Sequence, residues 1–185
     1  MSTLSPRPWL RWTLVAGTVL LFILVPFALV GASADRWAEA LVRSMQQRPL
    51  VVAGVVVGLL AVDLVAPIPS SLVSTLAGTF LGVTGGALAS FVGLTLGCAL
   101  GYALGRTAGR GATKAALGDA EIGRLEVGWA RFGDAFMIVA RAVPVLAEAS
   151  VLFAGMSAMP RRRFFLLTGL ANAGLSLAYA AVGAW

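Results

Sequence analysis

The chain has 185 residues, 59% of them hydrophobic and 12% charged, with a mean hydropathy of +0.91. No soluble domain of this size carries so much apolar surface, and the apolar runs are continuous rather than alternating, which excludes a β-barrel. What remains is an all-α polytopic membrane protein.

The net charge of +6 does not point to nucleic acid, because the arginines cluster in short loops beside apolar segments, as membrane orientation requires. There is no histidine, so His-based triads and zinc sites are excluded, and no metal or cofactor is expected. The single cysteine, Cys98, lies in a glycine-rich apolar run, cannot form an internal disulfide and reads as a packing residue.

In chain order, Arg7, Arg11, Trp9 and Trp12 precede an apolar stretch over residues 13–32, broken only by Pro26. This predicts an N-terminal transmembrane helix within residues 1–34, starting on the cytoplasmic side. Ala32-Ser33-Ala34 resembles a signal-peptide cleavage site. The apolar core of about 18 residues exceeds the roughly 7–15 of a signal core, which favours an uncleaved helix. Residues 35–48 then read as a short interfacial helix with an apolar stripe of Trp37, Leu41 and Met45, stopped by Pro49.

The membrane domain is expected over residues 35–185. Residues 50–62 are apolar but short of the roughly 20 a spanning helix needs. Asp63, Pro67 and Pro69 place a turn at 63–69, and a second short run ends near residue 82. Two half-length segments joined by such a turn predict a re-entrant hairpin over about 50–82. Gly85, Ala89, Gly93, Gly97, Gly101 and Gly105 recur every four residues along a transmembrane helix over about 83–105, a stripe that lets another backbone approach.

Residues 109–132 carry Ile122, Leu125, Trp129 and Phe132 at helical spacing, which fits an amphipathic helix at the membrane surface. Two apolar arms around Pro144 predict a second re-entrant hairpin over about 132–158. Pro160 and Arg161–Arg163 then open a last transmembrane helix over about 164–185. The architecture is thus about three transmembrane helices, two re-entrant hairpins and amphipathic interfacial helices.

The hairpins echo one another. Arg141 and Asp63 sit three and four places before Pro144 and Pro67, and Ala-Gly pairs end at Gly155 and Gly78, eleven places after each proline. This reads as an inverted repeat with its site between the halves. With the N-terminus inside, ten of the fourteen basic residues are cytoplasmic (Arg7, Arg11, Arg106, Arg110, Lys114, Arg124, Arg131, Arg161, Arg162, Arg163). Arg36, Arg43 and Arg48 are outside and Arg141 is in the membrane.

Asp63, Arg141 and Glu148 are the ionisable residues in apolar surroundings, and each would cost roughly 2.5–3.5 kcal/mol at the bilayer centre unless paired or hydrated. A guanidinium beside helix N-termini offers donors to a phosphate oxygen, Ser70, Ser71 and Ser150 add hydroxyls, and a buried carboxylate can exchange protons. The bland reading of the same residues is a structural ion pair between the hairpins.

Pro67-Ile-Pro69-Ser70-Ser71 followed by Leu-Ala-Gly78-Thr-Phe-Leu-Gly82, the stripe ending Gly101-Tyr102-Ala-Leu-Gly105-Arg106, and Arg141-x-x-Pro144 with Gly155 resemble the DedA superfamily of VTT-domain (SNARE-associated) membrane proteins. The resemblance covers about residues 45–185. It implies two inward-facing re-entrant hairpins and lipid translocation, of undecaprenyl phosphate in bacterial members and of phospholipids in eukaryotic relatives. Many bacterial members carry a glutamate where this chain has Ser71, and a second arginine where it has Ala147 followed by Glu148.

The expectation is therefore a transporter or scramblase of the bacterial inner membrane, without enzyme activity. It would move an anionic lipid headgroup through a cleft between the hairpins, with membrane lipids, protons and a second copy of the chain as candidate partners. Two alternatives stand beside it: a proton-coupled carrier or channel for a small ion, and a non-transporting assembly protein.

Overall fold

The computed structural model describes Thr13, Gly17, Thr18, Leu21 and Val25, then residues 48–64, 66, 68–117, 119–140 and 144–185. The five early positions are helical. The rest of the expected first helix, and the interfacial helix expected up to Arg48, lie outside the described residues.

Among the described residues all regular structure is helical: α1 (Pro49–Ala61), α2 (Ser70–Leu104), a wide-turned π segment (Gly105–Gly109), α3 (Arg110–Leu117), α4 (Asp119–Val139), α5 (Pro144–Met156) and α6 (Arg161–Ala184). Pro49 opens α1 in the first turn, where a missing N–H costs nothing. Gly82 breaks α2, with φ 71° and ψ 175°, a backbone conformation open to glycine. A short arm (residues 70–81) and a long arm (residues 83–104) result. They double back on each other, because Gly86 stands against the backbone of Ala77 and Gly78. In a straight helix those residues would be about 12 Å apart. Val52, Val56, Leu59 and Leu60 of α1 pack in one cluster with Val73, Leu76 and Ala77 of the short arm and Ala89 of the long arm.

The long arm is inside-out by the standard of a soluble helix. Leu88, Val92, Leu96, Leu100 and Leu104 are 39–61% exposed, while Ala89, Gly93, Gly101 and Gly105 are buried. In α6, Leu166, Leu170, Leu177 and Val182 are exposed and Thr168, Asn172 and Ser176 are buried. Large apolar residues outside and small or polar ones inside are what a lipid solvent selects. By length and composition Arg161–Ala184 is long and apolar enough to cross a membrane, and so is Ser70–Ala112, of which the part beyond the Gly82 break is the long arm and its continuation. The 13-residue helices α1 and α5 are not: each reaches about 20 Å against the roughly 30 Å of a hydrocarbon core.

One crossing is used twice. In the first, Gly78 abuts the Ala180 backbone and Gly183 abuts the Thr75 carbonyl; in the second, Gly155 abuts the Tyr102 backbone and Gly105 abuts the Leu152 carbonyl. Thr75 and Leu152 lie eight residues after Pro67 and Pro144, and Gly78 and Gly155 lie eleven after the same two prolines. The short arm thus meets α6 as α5 meets the long arm, residue for residue.

The surface segment and the first arm of the second hairpin were expected as separate pieces. The structure joins them into the single helix α4. Nothing in that stretch breaks a helix: Gly133 keeps helical dihedrals, and its missing side chain is filled by the Trp129 ring. At the end of α5, Met159 N–H donates to Ala154 (3.1 Å) and Ala158 N–H to Gly155 (3.0 Å), a Schellman closure with Ala158 at φ 53°. The basic end is tied by side chains. Tyr102 Oη donates to the Met159 carbonyl (2.5 Å), Arg106 to Tyr102 Oη (2.6 Å) and Arg110 to the Met156 carbonyl (3.1 Å). Arg110 also pairs with Glu126 (2.7 Å), and Arg163 grips Asp134 through two nitrogens (2.7 and 3.0 Å).

Two positive-φ positions give opposite expectations. Gly82→Ala is expected to cost about 1–3 kcal/mol from strain alone, since nothing lies within 4 Å of the added carbon. Ala158→Gly is expected to gain about 1 kcal/mol by relieving the same kind of strain. Thermal unfolding of the purified variants in detergent checks both signs.

Candidate functional site

A cavity of about 230 Å³ lies where the two halves meet. From the first half it takes Asp63 and Pro69 of the turn, Ser70, Ser71 and Ser74 of the short arm, and Gly97 and Cys98 of the long arm. From the second it takes Ala147, Glu148 and Val151 of α5, and Leu175 and Tyr179 of α6. The lining follows the repeat: Ser70, Ser71 and Ser74 stand three, four and seven places after Pro67, and Ala147, Glu148 and Val151 stand at the same steps after Pro144. Ser71 and Glu148 are therefore equivalent positions facing one space.

Helix geometry delivers these groups. The short arm begins after Pro69, so Ser70 and Ser71 occupy its first turn, where backbone N–H groups lack partners and the helix dipole favours negative charge. Asp63 sits before that turn, near the Ser70 hydroxyl and the Ile68 backbone N–H, which itself donates to the Ala66 carbonyl (2.7 Å). Glu148, in the second turn of α5, lies close enough to feel the Asp63 charge. Two carboxylates in one apolar-walled cavity repel unless a proton or a positive group lies between them. Among the described residues, no basic side chain lines the cavity.

Asp63, Pro69, Ser70, Ser71 and Glu148 are thus brought together. Pro67 and Arg141 lie outside the described residues, and Pro144 is described only as the first residue of α5. Ser150 is buried and donates to the Ala147 carbonyl (2.6 Å), away from the cavity. The stripe glycines are docking points: Gly93 and Gly97 lie against Leu60 of α1, and Gly101 against Val151 of α5 and Leu64 of the turn. Sequence reasoning missed Ser74, Leu175 and Tyr179, and gave Cys98 no part in the site. The available signal was the four-residue spacing of Thr168, Asn172 and Ser176, which marks an inward polar face on α6.

Cys98 is the chain's one thiol and lines the cavity, so it reports on the local field. A cationic methanethiosulfonate is expected to modify it at least tenfold faster than the anionic analogue. The preference is expected to vanish in the Asp63→Asn, Glu148→Gln double variant; labelling rates followed by mass spectrometry measure it.

The VTT domain family matches residues 68–185, which holds the short arm, the long arm and everything after them. No curated protein and no solved structure matches the chain. The match takes in both equivalent crossings, Ser70, Ser71, Glu148 and the two helices able to cross a bilayer, and the chain belongs to the VTT-domain (DedA, SNARE-associated) family of membrane proteins.

Proposed function

We propose that the chain carries the polar headgroup of a membrane lipid across the bilayer through the space between its two halves. The observation behind this is the cavity itself, polar groups from equivalent positions of both halves facing one another inside an apolar-surfaced bundle. In this reading α1 with the short arm, and the end of α4 with α5, are re-entrant hairpins entering from opposite leaflets, since their short helices fall well below bilayer thickness. The N-terminus is cytoplasmic by the arginine count, and the host membrane is a bacterial inner membrane.

Arg141 would supply the positive charge that recognises a phosphate, whether of undecaprenyl phosphate or of a phospholipid, and would balance Asp63 and Glu148. The chemistry asks for no bond cleavage and no cofactor. The carboxylate pair also favours a second reading, a proton-coupled carrier for a small ion, in which Asp63 and Glu148 carry the proton.

Reconstituting the purified chain in vesicles with a labelled phospholipid or a labelled polyprenyl phosphate separates these readings. Lipid movement is expected, abolished by Arg141→Ala and reduced at least tenfold by Glu148→Ala. Because positions 71 and 148 are equivalent, Ser71→Glu is expected to restore much of the loss in the Glu148→Ala background. Proton flux without lipid flux would favour the carrier. No movement of any lipid or ion would leave an assembly role.

A further inference from the structure

A second hollow, of about 540 Å³ and open to the outside, shares no residue with the carboxylate cavity. Arg124, Gly128, Phe132 and Phe136 line it at four-residue steps along one side of α4, and Trp129, Gly133 and Phe153 of α5 complete it. Its size falls within the roughly 300–1,000 Å³ of small-molecule sites. Ring contacts hold the walls: Trp129 stacks on Phe153 (centroids 6.3 Å apart) and meets Phe136 edge-on (5.8 Å).

Two glycines shape the space in different ways. Gly133 is covered by Trp129, whose Nε1 would lie 2.5 Å from a side-chain carbon there and has no hydrogen-bond partner. An interfacial tryptophan ordinarily keeps its N–H in contact with water. This one is turned onto its own helix, and the ring serves the hollow as an apolar wall. Gly128 is the opposite case: nothing lies within 4 Å of a carbon added there, which leaves a notch between Arg124 and Phe132. Phe132 and Phe136 are 63% and 38% exposed, so the chain's own packing does not cover these rings.

The hollow is graded along α4. Residues 119–131 include Asp119, Glu121, Arg124, Glu126 and Arg131, whereas residues 135–139 read Ala-Phe-Met-Ile-Val. Its Arg124 end therefore belongs to the polar side of the interface and its Phe136 end to the bilayer. Arg131 stands over the Phe132 ring (5.0 Å) and brings a second guanidinium to the same edge. The carboxylates of Glu126 and Asp134 pair with Arg110 and Arg163, and neither lines the hollow. An occupant must offer negative charge at one end and a long apolar surface at the other. A soluble anion meets only the first condition, and a bare hydrocarbon only the second.

We propose that this hollow binds one anionic phospholipid. Its phosphate lies at Arg124 and Arg131, and an acyl chain passes over the Gly128 notch to lie along Trp129, Phe136 and Phe153. The lipid is a resident one: it bridges α4 and α5 and does not cross the bilayer. The site therefore stands or falls apart from the route through the cavity.

Trp129 is its own reporter. With Trp9→Phe, Trp12→Phe, Trp37→Phe and Trp185→Phe in the full chain, Trp129 alone fluoresces, and bromine on an acyl chain quenches it on contact. The vesicles are unbrominated phosphatidylcholine with a small share of brominated phosphatidylglycerol, and each variant is referred to its own quenching in wholly brominated lipid. At about 5 mol% brominated lipid, quenching is expected to reach at least about half of that reference, because two arginines enrich an anionic lipid roughly thirtyfold. Arg124→Gln is expected to lower the enrichment about fivefold. Gly128→Leu fills the notch and keeps the charge, and is expected to bring quenching down to the mole fraction. Three results would overturn the proposal: quenching in proportion to mole fraction without either change (bulk lipid contact only), equal quenching by brominated phosphatidylcholine at the same share, or enrichment untouched by Gly128→Leu. So would a lack of quenching in wholly brominated vesicles, the sign of a second copy of the chain on this face.

Discussion

Backbone contact along the long arm of α2 decides where the rest of the chain can sit. Between lipid-solvated helices there is no hydrophobic drive to association, so close van der Waals approach must do the work. Gly93 and Gly97 give up their side-chain volume to α1, and Gly101 and Gly105 give up theirs to α5. A methyl group at Gly97 would lie 2.7 Å from the Leu60 carbonyl oxygen, too close for any carbon. The stripe therefore works as a ruler. Leu60 is fixed at Gly97, which leaves Asp63 three residues beyond the contact; Val151 is fixed at Gly101, which leaves Glu148 three residues before it. Two carboxylates far apart in sequence reach one cavity because both carriers are docked on the same run of small residues.

That placement raises an electrostatic demand which the surroundings meet unequally. Asp63 has the Ser70 hydroxyl, the Ile68 N–H and the start of a helix near it, whereas Glu148 faces the Asp63 charge. Polar groups continue away from the pair through Ser74, Cys98 and Asn172, so the interior of the bundle is graded from charged to polar to apolar. The outer face of the long arm is apolar from Leu88 to Leu104. A fold arranged this way isolates a hydrophilic space from lipid while keeping it a few side chains deep, the condition a headgroup or ion must find to cross a bilayer.

Much of this was legible in the residues because membrane packing leaves a plain signature. The glycine spacing, the prolines at the turns and the carboxylates in apolar runs each have one dominant physical reading. Other features were not legible. The Arg163–Asp134 pair joins residues 29 apart, so it does not show in a local pattern. Arg106, Arg110 and Arg163 read as orientation charges by composition, yet they also tie the ends of α2, α4, α5 and α6 together. Ser74, Ser90 and Ser176 were hidden for a different reason. A small hydroxyl residue in a membrane helix satisfies itself in most cases, and only the packed structure distinguishes those that do not.

The two equivalent crossings carry the argument one step further. In each, the short helix of one half docks on the long helix of the other: the short arm on α6, and α5 on the long arm. The halves therefore exchange elements rather than stand side by side. The cavity falls where the exchange crosses over, which is why its lining repeats as Ser70, Ser71 and Ser74 against Ala147, Glu148 and Val151. Such an arrangement has two near-identical interfaces of small residues, with a side-chain bond beside each, Thr79 to the Gly183 carbonyl at one and Tyr102 to the Met159 carbonyl at the end of the other. The cavity is therefore held by two matched contacts of small residues, and a shift at either one would change its walls.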